Sequence, residues 1–306
     1  MYNIIRDLLF KFDSELVHDF SLELIKRNPF NISVKELPLE VDGIRFRNPI
    51  GLAAGFDKDG LLIDTISKLG FGFMEVGTIT PKPQIGNPKP RLFRDINNKS
   101  LINRMGFNNS GLEVIKQRLS NRSGDLVIGA NIGKGYDTDL DSAHKDYLES
   151  FLGLMDLVSY FTINVSSPNT VDLLKLMEVE RLKRIVSTIQ EKNTRNKPIY
   201  IKVSSKLSDI EGIIRLIEDY KINGIVLNNT KPIGLGGLSG GLITNESLRN
   251  LYYVKQLTEK TIIGSGGLMT VEDIKSRLSG GCKLVQIWTG FVWNGPYFVK
   301  KCLEEI

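Results

Sequence analysis

Cysteine and histidine are almost missing from this 306-residue chain, which has two of each: Cys282, Cys302, His18 and His144. Without a CxxC pair, a zinc site built from Cys and His is not supported, and no metal is expected. Two isolated cysteines suit a reducing compartment better than a disulfide framework. No apolar run approaches the ~20 residues of a membrane span. No small-residue cleavage site follows an apolar stretch near the start, so a signal peptide is not expected. Dense Lys/Arg runs with interleaved aromatics are also missing, which argues against nucleic acid as a partner. The net charge of +5 favours anionic partners: phosphates, acidic metabolites or an anionic lipid surface. What remains, 41% hydrophobic and 25% charged residues, is the composition of a folded globular chain.

Residues 2–12 and 15–27 have helical periodicity. Ile4, Ile5, Leu8, Leu9 and Phe12 share one face of the first helix; Leu16, Val17, Phe20, Leu24 and Ile25 share one face of the second. Asp13 and Ser14 supply capping chemistry between them, and Asn28-Pro29 is expected to stop the second. Residues 1–36 thus form an amphipathic helical extension. Its apolar faces either pack on the domain that follows, or meet a bilayer or the mouth of a path for a lipophilic molecule.

From residue 37 the pattern changes. Leu39–Val41 and Ile44–Phe46 flank Asp42-Gly43 as a β-hairpin. Eight apolar runs follow: Pro49–Ala53, Phe73–Val76, Leu126–Asn131, Tyr160–Val165, Ile199–Val203, Gly224–Leu227, Thr261–Gly264 and Leu284–Ile287. Segments with three- and four-residue apolar spacing come after each: Gly60–Lys68, Ser110–Leu119, Asp139–Leu154, Glu178–Gln190, Ser208–Tyr220, Asn245–Thr258, Val271–Leu278 and Pro296–Glu304. Eight strand-then-helix units predict an α/β fold over 37–306. It is a (β/α)8 TIM barrel, with the two-helix extension and the β-hairpin ahead of its first strand. An open doubly wound sheet would more usually stop at five or six strands.

In such a barrel, chemistry sits where strands end. The first end runs Ala54-Gly55-Phe56-Asp57-Lys58, the second Gly77-Thr78, and the third Asn131-Ile132-Gly133-Lys134. The fourth is the densest: Asn164-Val165-Ser166-Ser167-Pro168-Asn169-Thr170. Lys202 lies near the tip of the fifth, and Asn228-Asn229-Thr230 follow the sixth. Gly264-Ser265-Gly266-Gly267 and Trp288-Thr289-Gly290 close the seventh and eighth. Turn chemistry explains any one of these, but not all of them together. The glycines of the seventh end, with Thr289 and Gly290, occupy the usual phosphate position of a barrel, and Gly236–Gly241 can complete the cradle. No Rossmann fingerprint follows the first strand, and the spacing within Gly129–Gly135 is wrong for a phosphate loop. Lys58 and Lys202 at strand ends require an anion or an electron-rich ring. Asn103, Asn164, Asn169 and Asn229 can read an amide or carboxylate edge. With no histidine at a strand end, Ser166 or Ser167 is left as proton acceptor.

The segments GLAAGFDKDG (51–60), EVGTITPKPQIGNPKPRLFR (75–94), INRMGFNNSG (102–111), NVSSPNT (164–170), GGLSG (236–240), GSGG (264–267) and LVQIWTGFVWNGP (284–296) resemble the dihydroorotate dehydrogenases. The closest likeness is to the quinone-dependent, membrane-associated class, and it covers nearly the whole chain. It implies one non-covalent FMN at the barrel mouth and oxidation of (S)-dihydroorotate to orotate in pyrimidine synthesis, with electrons passed on to a quinone. It implies Ser167 as the base, with Thr170 and Phe107 flanking its relay; soluble classes carry cysteine there. Orotate would be held by Lys58, Asn103, Arg104, Met105, Gly106, Phe107, Asn164, Asn169, Asn229 and Thr230. The FMN set would be Ala54, Gly55, Phe56, Asp57, Lys58, Thr78, Asn131, Asn164, Lys202, Asn228, Gly240, Gly267, Trp288 and Thr289. His18, Arg94 and Trp288 would border a quinone tunnel.

The same resemblance implies peripheral attachment, through residues 1–30, to the cytoplasmic side of the cell membrane; the sequence leaves the oligomeric state open, with a monomer favoured. The alternatives are a soluble-acceptor enzyme using fumarate or NAD, a related FMN barrel oxidoreductase, and a degenerate flavin-binding barrel. Four departures from the family pattern stand out. Val171-Asp172-Leu173-Leu174 replaces a Gly-Leu-Arg element on the active-site lid, and Ser204-Ser205-Lys206 replaces Ala-Pro-Asp. Trp288 stands in place of a tyrosine, and Asn228 in place of a threonine.

Overall fold

Each of the eight apolar runs becomes one strand of a closed parallel barrel: Ile50–Leu52, Phe73–Ile79, Val127–Ile132, Tyr160–Asn164, Ile199–Lys202, Gly224–Leu227, Thr261–Ser265 and Leu284–Ile287. The strands follow one another around the barrel in chain order. The protein is described by a computed structural model covering every residue except Met1, Asn28, Pro29 and Val171. The expected stop at Asn28-Pro29 lies outside the described residues. The strands are buried on both faces, which is why they read as continuous apolar runs and not as alternating ones.

Helices Leu112–Ser120, Ala143–Leu154, Val179–Lys192, Ile210–Asp219, Thr244–Lys255, Val271–Ser279 and Phe298–Glu305 match seven of the expected segments to within a few residues. The eighth does not form. Gly60–Lys68 carries no α-helix, and only a 3-10 turn, Ile66–Leu69, lies near its end. The reason is local: the Asp57 carboxylate accepts from the Leu61 and Leu62 amides at 2.9 and 2.7 Å. With Gly60 in the left-handed region, this folds the chain into a tight turn where a helix would start. A six-residue helix, Thr289–Asn294, follows the eighth strand directly and had no counterpart in the periodicity.

The bottom of the barrel is closed by the Leu39–Val41/Ile44–Phe46 hairpin. Val41 and Phe46 pack there with Phe73, Tyr160, Tyr200, Val226, Ile263 and Leu284. The rings meet edge to face, Phe46 on Phe73 at 5.3 Å and Tyr160 on Tyr200 at 5.5 Å. Tyr200 also donates to Asp42 of the hairpin turn at 2.7 Å. Over the opposite end lies an antiparallel sheet that sequence patterning did not reveal. It is built from Leu92–Asp95, Ser100–Asn103, Lys231–Ile233 and Gly236–Gly240.

The two N-terminal helices run over Tyr2–Leu9 and Ser14–Lys26, the second capped by Asp13. They are tied down by polar contacts. Tyr2 donates to the Val292 carbonyl at 2.6 Å, and Arg6 to the Trp293 carbonyl at 2.8 Å. The expected single apolar face of the second helix divides in two: Leu22 and Ile25 pack inward with His18, whereas Leu16, Phe20 and Leu24 point to solvent. The first helix buries no residue, and Ile4 and Leu8 are 77% and 57% exposed. Packing on the barrel therefore accounts for only part of the apolar surface.

Barrel closure depends on small residues where large rings cross the interior. A Cβ at Gly129 would lie 2.1 Å from the Tyr160 ring, which is fully buried and cannot withdraw. We expect Gly129→Ala to destabilise the protein by about 1–3 kcal/mol through overpacking. The expected signature is a lower denaturant midpoint at unchanged m-value.

Candidate active site

Strand four ends in the segment that carries the most chemistry, and its two serines are used differently. Ser166 is fully buried, donates to the Lys202 carbonyl at 2.6 Å and accepts from Asn229 at 3.0 Å. Ser167 borders a cavity at the C-terminal end of the barrel, with room inside of about 140 Å3 for water-sized molecules. Its Oγ accepts from the Asn169 amide at 3.3 Å. Tyr147, fully buried on the helix after strand three, donates to the Asn164 carbonyl at 2.8 Å and holds the strand tip.

The expected residues converge here in large part. Ala54, Gly55, Lys58, Thr78, Asn103, Met105, Gly106, Phe107, Asn164, Ser167, Asn169, Lys202, Asn228, Asn229, Thr230, Gly267, Trp288 and Thr289 all border the cavity. Burial lowers the pKa of both Lys58 and Lys202 from the usual lysine value. Neither forms a salt bridge among the described residues; Glu75 acts on Lys202, and Asp59 and Glu15 on Lys58, only from beyond ion-pair distance. Asn169 Oδ1 and Thr170 Oγ1 are buried without a hydrogen-bond partner. Unpaired groups of this kind mark a place for a polar ligand.

The loops after strands seven and eight pack more closely than side chains would permit. A Cβ on Gly267 would lie 2.5 Å from Thr244 Cα, and one on Gly290 would lie 2.0 Å from the Leu268 carbonyl. Thr289 donates to Ser239 at 2.9 Å, which ties the cradle to the strand Gly236–Gly240 of the covering sheet. Small residues, open backbone and two lysines fit a phosphorylated ring cofactor. Phe107 takes φ +55°, uncommon for an aromatic residue, and its ring lies against Gly133. Asn169 donates to Asn103 at 2.8 Å, joining the strand-four loop to the covering sheet.

Other expected residues stand behind the cavity wall or away from it. Asn131 is fully buried and accepts from Asn164 at 3.2 Å. Asp57 is committed to its turn, and burial raises its carboxyl above the usual range. Arg104 is exposed, donates to the Pro90 carbonyl at 2.8 Å and covers the Phe93 ring. Gly240 sits against the Lys99 carbonyl, where a Cβ would come within 2.6 Å.

His18, Phe56 and Trp288 form an aromatic wall between the second helix and the cavity. His18 stacks on Trp288 at 5.7 Å and shares a hydrogen bond with the Phe56 carbonyl at 2.9 Å. Burial, with the nearby Lys58 charge, lowers the His18 pKa to about 3. Arg94 is placed differently: it donates to the Phe10 and Phe12 carbonyls at 3.2 and 2.7 Å and holds the end of the first helix.

Three features escaped sequence reading. Glu75, inside strand two, is fully buried and receives four hydrogen bonds. The available signal was an acidic residue between Met74 and Val76 in an otherwise apolar run. Arg91 and Glu15 form a buried ion pair at 2.7 Å. Burial raises the Glu15 carboxyl, but Arg91 and Lys89 outweigh that and bring it below the usual range. The third feature links two of the sequence departures. Asn250 donates to the Ser205 carbonyl at 2.7 Å and to Asn228 at 3.4 Å, and Asn228 donates to the Ser204 carbonyl at 3.4 Å. Asn228 is thus held by the backbone of the strand-five loop and by Asn250, while the Ser204 hydroxyl accepts from the Lys206 amide of its own turn.

With this geometry in hand, comparison with known proteins is decisive. The family described as dihydroorotate dehydrogenase matches residues 36–306. The chain is 41% identical to a dihydroorotate dehydrogenase (quinone) of Christiangramia forsetii, covering 99% of this chain and 98% of that one. It is 38% identical to the protein of the same name in Legionella pneumophila, covering 98% and 97%. Among solved structures, the ligand-free DHODH of Eimeria tenella superimposes with a TM-score of 0.88 at 32% identity, over 96% of this chain and 94% of that one. The chain belongs to the dihydroorotate dehydrogenase family.

Proposed function

We propose that this protein oxidises (S)-dihydroorotate to orotate, with FMN as cofactor and a quinone as the final acceptor. The observation that carries the reading is Ser167, which faces a cavity where Lys58, Lys202, five asparagines and a glycine cradle meet. FMN held there would supply the hydride acceptor and the link to the quinone. The cradle of Gly266, Gly267 and Gly290 suits its phosphate, and Lys58 and Lys202 suit its electron-rich ring and the substrate carboxylate.

The protein's own part is to orient the substrate and take its proton. Asn103, Asn164, Asn169 and Asn229 bring donors and acceptors to a planar ring with amide edges. Ser167 takes the proton next to the substrate carbonyl. An alcohol is a weak base, so the hydroxyl needs support. The Asn169 amide donates to Ser167 Oγ and orients the hydroxyl, whose own proton must leave as the substrate proton arrives. Thr170 Oγ1, buried and unpartnered, provides the next station for the proton, and the Phe107 ring keeps water from the reacting face.

The acceptor side is supported by the exposed apolar surface of the first two helices. Ile4, Leu8, Phe12, Leu16 and Phe20 are each more than half exposed. No helix among the described residues is long and apolar enough to cross a membrane. The helix pair lying in the interface of a bilayer, on its cytoplasmic side, matches both facts. A quinone would then reach the flavin past His18 and Trp288. Arg94 supports that path indirectly by holding the end of the first helix, and a monomer leaves the helix pair free to meet lipid.

Purified protein is expected to be yellow, and its flavin absorption to bleach when dihydroorotate is added without oxygen. Turnover should be faster with a quinone than with fumarate or NAD; the reverse order would favour a soluble-acceptor enzyme. Ser167→Ala should keep flavin and orotate binding and lose at least ~10²-fold in flavin reduction rate. Wild-type reduction in that variant would remove Ser167 from the role.

His18 gives a prediction in pH. Its folded pKa of about 3 lies below the 6.5 of an unfolded histidine, so between these values the unfolded chain binds the extra proton. The contribution to stability is full above pH 6.5 and is lost as the pH falls toward 3. In that window wild type should lose up to ~1.4 kcal/mol per pH unit more than His18→Phe, measured by denaturant unfolding. Equal slopes would mean that the imidazole titrates normally. A histidine that stays neutral can hydrogen-bond or stack on a quinone but cannot act as its acid at neutral pH.

A further inference from the structure

Glu75 has no part in the chemistry above, yet it lies wholly buried inside strand two. Four donors converge on it. Asn131 gives to Oε1 at 2.7 Å, while Gln286 at 2.7 Å, Thr162 at 2.9 Å and Tyr160 at 3.4 Å give to Oε2. Amide NH2 groups face both oxygens, Asn131 at one and Gln286 at the other, so Glu75 presents an acceptor on each side.

That one-sidedness propagates. Asn131 has its NH2 committed to Glu75, so its oxygen must face the other way, where it accepts from Thr78 Oγ1 and from Asn164 Nδ2. Asn164 has thereby committed its own NH2, and its oxygen points on to accept from Asn229 Nδ2 at 3.2 Å and the Ser166 amide at 3.3 Å. Asn229 in turn directs its oxygen to the Thr230 amide at 2.9 Å. An amide reads the same shape in either orientation, so nothing in its packing selects the flip. Selection comes from partners that cannot reverse: Glu75 for Asn131, and the Ser166 and Thr230 backbone amides, which hold Asn164 and Asn229 in the same sense. Reversing one member would set donor against donor at the next contact, in an interior where an unmade hydrogen bond costs more than a made one contributes.

We propose that Glu75 is a positioning residue that fixes the polarity of the Asn131–Asn164–Asn229 series. Asn164, Asn229 and Thr230 thereby present one donor–acceptor pattern to the planar ring in the cavity. The inference rests on the reading of that cavity as an orotate site. It assigns no contact between Glu75 and the ligand.

The test uses three flavin-loaded proteins: wild type, Glu75→Gln, and Glu75→Gln combined with Asn131→Asp. The single variant has nearly the same shape but brings a donor to face donors. Its orotate dissociation constant, read from the flavin visible spectrum, is expected to rise at least ~10-fold. The double variant reverses the first contact, amide at 75 donating to carboxylate at 131, and restores an acceptor toward Thr78 and Asn164. It is expected to recover most of the lost affinity. A packing role alone would make the second change an added injury. The proposal is overturned by a single variant within twofold of wild type, or by a double variant no better than the single in folding or in affinity. Wild type that fails to bind orotate would instead sink the substrate reading. Polarity is then judged on the unfolding midpoints of the same three proteins, where recovery by the second change is still required.

Discussion

A carboxylate sealed in the middle of a closed barrel is the constraint on which the site depends. Burying Glu75 without partners would be prohibitive, so the interior layer at its level is made of donors drawn from strands three, four and eight. Below that layer the barrel is filled by aromatic rings and sealed by the hairpin. Above it, hydrogen-bond directions are inherited upward until they reach the cavity. The wall of the site is therefore preorganised by the core and not by the loops alone. A site that binds a flat polar ring needs its donors and acceptors aimed before the ring arrives.

Legibility in the sequence followed the range of the interactions. The eight strands were visible because parallel strands buried on both faces leave continuous β-branched runs. Their polar tips were visible because Asn, Ser and Gly stand out where such runs stop. The missing helix after strand one was hidden because a single side chain, Asp57, redirects the chain there against its own periodicity. The covering sheet was hidden for a different reason. Its central pairing sets Asn103 opposite Gly237, across 134 positions of sequence, and no local pattern encodes a partner so distant. The N-terminal helices were found, but their apolar surface was read as one face when it is two. A helix apolar on both sides has no clean moment to report which side the barrel covers.

Departures from the family pattern illustrate how a polar core tolerates change. Ser204, Ser205 and Asn228 are all nearly inaccessible, so each new polar group needs a partner. Ser204 Oγ accepts from the Lys206 amide of its own turn, and Asn228 donates to the Ser204 carbonyl and accepts from Asn250. Ser205 Oγ alone of the three side chains remains without a partner. On the lid, Asp172 takes φ +58°, a conformation that glycine adopts without cost and aspartate tolerates. Its ion pair with Lys175 at 3.0 Å is half exposed and adds little. The altered lid therefore relies on Leu173, Leu176 and Met177, which pack beneath it, more than on charge.

The same economy joins the N-terminal helices to the substrate side. Arg91 binds Glu15 of the second helix, and also donates to the Ile85 and Asn87 carbonyls at 2.6 and 2.9 Å. Asn87 carries the contact onward, donating to the carbonyls of Arg104 and Asn169, each at 2.9 Å. One buried ion pair thus holds the helix pair, the loop before the covering sheet and the strand-four loop in a single frame. The geometry explains why an arginine is required. Its planar fork meets a carboxylate on one edge and two carbonyls on the other, which an ammonium on a flexible stem does not reproduce. The pair costs desolvation at both ends and is weak evidence for stability by itself. Its value lies in register. The helices that present apolar surface outward are fixed, through three successive hydrogen-bonded contacts, relative to the loop that carries Ser167.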